Sequence, residues 1–170
     1  MRPLTPGDVR IAACREGDLV ALDRHLPSPS HPRRYTRQLA GLGTLLVAWD
    51  GGQPVGHCEV RWDGCAAAEV RGVVGDCPEV NGLFVWPESL RRHGIGTALI
   101  TTAEDLVRDR SGPRIGLGVK DGNTRAAALY VRLGYRPAVP RYLDRWSYVD
   151  QDGRMHDNAD PCAFLVKELG

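Results

Sequence analysis

Arg91-Arg92-His93-Gly94-Ile95-Gly96 stands between two segments of different periodicity. Ahead of it runs Glu79-Val80-Asn81-Gly82-Leu83-Phe84-Val85-Trp86, a short apolar strand pattern closed by Pro87. Behind it Ile95, Ala98, Leu99, Ala103, Leu106 and Val107 recur at helical spacing. A glycine-containing turn that feeds a helix start leaves several backbone N–H groups unpaired and pointing one way. The helix dipole favours negative charge there, so the turn suits a phosphate or pyrophosphate. Two arginines and a histidine add positive charge beside it. An ordinary strand-to-helix loop with a charged rim would carry the same glycines, so the turn needs support from the rest of the chain.

The commoner nucleotide templates fail. A dinucleotide fingerprint needs a small residue three positions after Gly96, where Leu99 stands. A P-loop needs a lysine that Ile95-Gly96-Thr97 lacks. Gly-x-Ser-x-Gly and His-Glu-x-x-His are both absent, against those hydrolase and metalloprotease classes.

Outward from the turn, the second half alternates regularly. The spacing predicts a strand at 79–86, a helix at about 95–109 broken by Ser111-Gly112-Pro113, and a strand from Arg114 to Val119. A helix at 124–133 ends at Gly134, Tyr135 starts a further strand, and Ala163 to Val166 reads as the last. Between them Trp146-Ser147-Tyr148-Val149 and Met155-His156 flank a turn at Asp152-Gly153. The first half reads as a strand over Val9 to Ala13 and a short helix around Asp18, Leu19, Leu22 and Leu26, ended by Pro27 and Pro29. A second helix at about 31–42 has a basic face of Arg33, Arg34 and Arg37. A hairpin of Thr44 to Trp49 and Val55 to Trp62 turns at Asp50-Gly51-Gly52-Gln53. Residues 63–77, rich in Gly and Ala without clean periodicity, read as an irregular connection.

The 170 residues, 42% hydrophobic and 25% charged, fit one mixed α/β domain spanning 1–170. A formal charge of +1 excludes the broad basic footprint of a nucleic-acid binder. No apolar run approaches the roughly 20 residues of a membrane helix. Residues 1–8 lack the apolar core of a secretion signal, so a cytoplasmic location is expected. The five cysteines are irregularly spaced with no Cys-x-x-Cys. His57, Cys58, Cys65 and Cys77 match no standard zinc spacing, so free thiols and no metal are expected.

A second constellation follows, Asn123-Thr124-Arg125-Ala126-Ala127-Ala128-Leu129-Tyr130-Val131-Arg132-Leu133-Gly134-Tyr135. Asn123 fits a helix N-cap. Ala126 and Ala127 permit close helix approach, and Leu129 and Leu133 share one face at i, i+4. Taken alone, Tyr130 reads as a half-buried packing residue.

Together, Arg-x-x-Gly-x-Gly after a strand and Asn-x-x-Ala-x-x-Leu-Tyr-x-x-x-Gly-Tyr resemble the acetyl-CoA-dependent N-acetyltransferase (GNAT) superfamily over about residues 79–136. The resemblance implies a single-domain α/β fold with a central mixed, mostly antiparallel sheet flanked by helices. It implies acetyl-CoA as acyl-donor co-substrate, with pantetheine on the open backbone near Leu83, Phe84 and Val85. The pyrophosphate would sit on the amides of Arg91, Arg92, His93, Gly94, Ile95 and Gly96, with Thr97 adjoining. Asn123 and Tyr130 match positions flanking the thioester end. Homodimerisation is implied by resemblance only.

Chemistry narrows the roles. An amine near pKa 10 must lose a proton before it can attack a thioester, and a carboxylate is the natural base. Glu79, six residues before Val85, has the spacing of the base in some family members. Uninterrupted alternation would put Glu79, Asn81, Leu83 and Val85 on one face. Glu59 on the preceding strand is the other candidate. Tyr130 is the candidate proton donor to the departing thiolate, its phenol within about two units of a thiol's pKa. A strand N–H near Val85 would meet the carbonyl oxygen. Cys58 and Cys77 have no recognisable activating partner, which favours direct transfer without a covalent intermediate.

For the acceptor, a small-molecule primary amine comes first. A protein or peptide amine is the alternative, and a non-catalytic acyl-CoA sensor a further one. Asp144, Asp150, Asp152, Asp157 and Asp160, interleaved with Tyr142, Trp146 and Tyr148, could receive a cationic amine. Arg24, Arg33, Arg34 and Arg37 could steer an anionic acceptor or the cofactor's 3′-phosphate. Both runs also read as solvated faces.

Overall fold

The computed structural model describes residues 8–91 and 94–170. Strands β1 (Val9–Ala13), β2 (Gly43–Asp50), β3 (Gln53–Arg61), β4 (Glu79–Val85), β5 (Arg114–Lys120), β6 (Arg136–Val149) and β7 (Met155–Glu168) form one sheet in the order β1-β2-β3-β4-β5-β7-β6. Neighbours run antiparallel except β4 and β5, which are parallel. Helices α1 (Asp18–His25), α2 (Ser30–Leu39), α3 (Ala68–Val74), α4 (Ile95–Asp109) and α5 (Thr124–Arg132) flank the sheet. Among the described residues, no helix is long and apolar enough to cross a membrane.

The periodicities explain the layers. On α4, Ile95, Leu99, Ile100, Ala103 and Val107 are buried against Leu46, Val60, Val80 and Ile115 of the sheet. Each fully buried side chain of this size stabilises by roughly 1.5–3 kcal/mol. The opposite face, beneath α1 and α2, packs Leu22 and Leu26 on Leu45, Val47 and Trp49. A third cluster joins α3 to β6 and β7 through Val70, Val74, Tyr142 and Phe164.

Two departures from the sequence expectations bear on function. The 63–77 connection contains helix α3, whose Val70 and Val74 are buried one turn apart. Within β4, Asn81 pairs with Glu59 but Phe84 pairs with His57, so Gly82 and Leu83 together oppose Cys58. This is a β-bulge, with Gly82 at φ 65°, a conformation glycine adopts readily. The bulge breaks the alternation. Val80, Leu83 and Val85 pack in the α4 core, whereas Phe84 contacts His57 on the α2 side. Glu79 and Asn81 therefore do not share a face with Leu83 and Val85, contrary to the uninterrupted pattern.

The parallel pairing of β4 with β5 is short: Glu79 with Gly116 and Val80 with Leu117. Beyond those rungs the strands part. The β5-facing edge of residues 81–85 is left without a ladder partner.

Candidate active site

A cleft of about 720 Å³ lies where β4 leaves β5, walled by the end of β4, the start of α4 and the face of α5. The Trp86 N–H donates to Val55 O on β3 at 2.9 Å. Two-residue alternation then turns the N–H and C=O of Val85 to the free edge. Arg91 Nε donates to that carbonyl at 3.3 Å. Helix α4 opens on Gly94, at φ 77°, with no side-chain cap. Its first helical bond runs from the Ala98 N–H to Gly94 O, 2.9 Å, so the amides of Ile95, Gly96 and Thr97 are the orphan donors of the helix start. A bare helix N-terminus and an unpaired strand edge on one cleft fit an elongated ligand with an anionic segment and an amide-bearing arm.

Most of the expected binding residues meet here. Leu83, Phe84, Val85, Arg91, Gly94, Gly96, Thr97, Asn123 and Tyr130 line the cleft. Ile95 is buried in the core and contributes its backbone alone. Arg92 and His93 lie outside the described residues. Asn123 also caps α5, its Oδ1 accepting from the Ala126 N–H at 3.2 Å. Arg125 and Arg132, not anticipated from the sequence, line the same wall. Their signal was the seven-residue spacing, two turns apart on one helix face with Ala128 and Leu129 between. Tyr130 is buried, and desolvation with the Cys58 thiol nearby pushes its phenol up. The Cys58 and Cys77 thiols are themselves pushed up by burial, to about 12 and about 11, which suppresses thiolate nucleophiles. All five cysteines are free. Among the described residues, no group of three or more His, Cys, Asp or Glu is placed to hold a metal ion.

The two candidate carboxylates lie on the α2 side of the sheet and differ in their partners. Glu59, 2% exposed, accepts from Arg37 Nε at 2.7 Å and lies 3.6 Å from Arg34 Nε. Two guanidiniums hold it. Glu79 is 4% exposed, and its contact to Arg61 Nε is 3.9 Å. Burial pushes its carboxyl up to about 7, against the pull of Arg61 and an Asn81 hydrogen bond; Asp144 and Glu59 push it further up. Glu79 is the carboxylate set to exchange a proton at neutral pH.

The charged runs resolve into specific contacts. Arg34 and Arg37 both reach Glu59 on the α2 side of the sheet, and Arg37 also pairs with Asp63 at 2.6 Å. On the β6–β7 hairpin, Asp150 holds His156 and the Arg154 and Asp152 amides. Asp160 holds Lys120 and the Trp146 indole. Asp144 is left as the half-buried acid of that segment that faces Glu79, and desolvation raises its carboxyl.

A family model described as "Acetyltransferase (GNAT) family" matches residues 13–135. No curated protein matches by sequence. Among solved structures, the fold is similar to the ribosomal-protein-S18-alanine N-acetyltransferase from Escherichia coli, with TM-score 0.64 and 20% identity over 95% of this chain and 94% of that one. It is also similar to a GNAT family acetyltransferase from Elizabethkingia anophelis with acetyl-CoA bound, with TM-score 0.61 and 16% identity over 95% and 98%. Arabidopsis thaliana Naa50 in complex with the bisubstrate analogue CoA-Ac-MVNAL gives TM-score 0.63 and 18% identity over 95% and 99%.

Proposed function

The chain belongs to the GNAT acetyltransferase family, and on that footing we propose that it transfers the acetyl group of acetyl-CoA directly to a primary amine, that of a small molecule first. The observation that carries the reading is the placement of Glu79 and Tyr130 on opposite sides of the strand that borders the cleft. The free edge at Leu83 and Val85 would hold the pantetheine arm. The amides of Ile95, Gly96 and Thr97 with Arg91 would hold the pyrophosphate. Bound acetyl-CoA supplies an activated acyl carbon.

The chain's own groups then manage protons. Glu79, with a carboxyl near 7, takes the proton from the incoming ammonium, directly or through one water, and frees the nitrogen lone pair. As the carbon–nitrogen bond forms and the carbon–sulfur bond breaks, Tyr130 supplies a proton to the departing sulfur, and the second proton that the acylated nitrogen sheds restores the phenol. The buried, poorly acidic cysteines support direct transfer over an acyl-enzyme. Their free state supports a reducing, cytoplasmic setting.

The test is an acceptor screen with acetyl-CoA that reads product mass across aminoglycosides, polyamines, amino acids and short peptides. Acetylation of one small-molecule class supports the proposal, and acetylation confined to peptides moves the assignment to a protein or peptide acceptor. Acetyl-CoA that is bound but never turned over leaves a sensor and overturns the transferase reading.

A further inference from the structure

We infer that Arg34 is a catalytic residue of this site, placed to meet the negative charge that develops on the acyl oxygen during transfer. The inference rests on the acetyl-CoA reading above. It starts from the bulge. Cys58, whose thiol acts on Tyr130 from one face, is the β3 residue opposite Gly82 and Leu83. Glu79 and Asn81 approach from the other face, three residues and one residue before Gly82 in the strand order Glu79, Val80, Asn81, Gly82. The proposed acid and base thus bracket one stretch of backbone, and the reacting carbonyl belongs between them.

The guanidinium of Arg34 lies over that stretch. A Cβ at Gly82 would lie 2.6 Å from Arg34 Cζ, so the missing side chain leaves the space the guanidinium fills. Arg34 Nη2 donates to Asn81 Oδ1 at 3.4 Å, and Nε lies 3.6 Å from Glu59 Oε2. The short bond of Glu59 goes to Arg37, at 2.7 Å. Glu59 thus holds Arg34 through the longer of its two ion pairs, 3.6 Å against 2.7 Å to Arg37. The Arg34 side chain is 12% exposed, and a fixed cation in such a water-poor place acts strongly on charge that develops beside it. Glu59 is then a positioning residue for Arg34 rather than the base.

The test needs no acceptor. Acetyl-CoA labelled with carbon-13 at the carbonyl is bound to wild type, Arg34→Gln and Arg34→Lys, and the thioester carbonyl stretch is read by infrared difference spectroscopy. Calorimetry gives the affinity of each. The expected result is a lower stretching frequency on wild type than in solution, a return to the solution value in Arg34→Gln and an intermediate value in Arg34→Lys, with affinity preserved. With an acceptor from the screen, kcat for Arg34→Gln falls about 10²–10³-fold while KM for acetyl-CoA stays level. An unchanged stretch in Arg34→Gln with binding intact overturns the role. Loss of acetyl-CoA binding in both variants also overturns it, by making Arg34 an anchor of the donor. Wild type that fails to bind acetyl-CoA overturns the functional proposal and this inference with it.

Discussion

The Glu79 carboxylate stands 3.9 Å from Arg61 Nε, near enough for attraction and too far for a hydrogen bond. Burial therefore outweighs the arginine and lifts the carboxyl to about 7. The rate kcat/KM should rise with pH through an inflection near 7 as Glu79 ionises. In Glu79→Gln the rate should fall about 10²–10⁴-fold and the inflection should disappear. An inflection that persists unchanged in the variant assigns it to another group.

The same shift has a stability consequence of definite sign. The folded carboxyl binds its proton more tightly than the unfolded one, whose value is 4.5, so between about 4.5 and about 7 the unfolded state holds fewer protons. Stability should decline as pH rises through that window. Glu79→Gln should flatten the decline and be more stable than wild type at pH 8, on the order of 1–3 kcal/mol. Urea melts at pH 5 and pH 8 measure it.

Tyr130→Phe removes the phenol and keeps the ring that packs against Tyr135 at 6.3 Å between centroids. Turnover should drop by about 10² with acetyl-CoA affinity close to wild type. Since burial raises the phenol's pKa, the wild-type rate should hold its plateau well into the alkaline range. Steady-state kinetics from pH 6 to 10 for both proteins decides the point.

Arg125 and Arg132 put two positive charges on the α5 wall of the cleft. Arg125→Ala and Arg132→Ala should each weaken acetyl-CoA binding by about 1 kcal/mol, roughly fivefold, with kcat unchanged. The loss should shrink at high salt. Comparing CoA with its 3′-dephospho form in titration calorimetry tells whether that phosphate is the partner.

Gly82→Ala forces a Cβ both into a left-handed backbone and onto Arg34. Destabilisation of about 1–3 kcal/mol is expected by thermal denaturation. A larger fractional loss of turnover than of acetyl-CoA affinity should accompany it.

Legibility in the sequence varied with the physics of each feature. Helix α4 falls on 95–109 as the apolar spacing predicts, because fifteen residues repeat the pattern for four turns. Strand β1 likewise falls on Val9–Ala13. Helix α3 was hidden by its seven residues and an internal Gly72, so that Val70 and Val74 alone carried its period. The bulge was invisible since Gly82 also suits an ordinary strand, and only the register against β3 shows the extra residue. The glycine turn and the Asn123 to Tyr130 segment were legible because orphan amides and a capped helix are local features. The pairing of Glu59 with Arg34 and Arg37 spans more than twenty residues of chain, beyond any local pattern.

The parting of β4 from β5 after two rungs has a kinetic corollary. A donor held in the cleft against α5 would leave the α2 side of the sheet open to an acceptor, so that neither would have to leave before the other enters. Such a layout suits a ternary complex and sequential kinetics, with intersecting double-reciprocal lines. The last shared rung, Val80 with Leu117, would then be the threshold at which the two visitors meet.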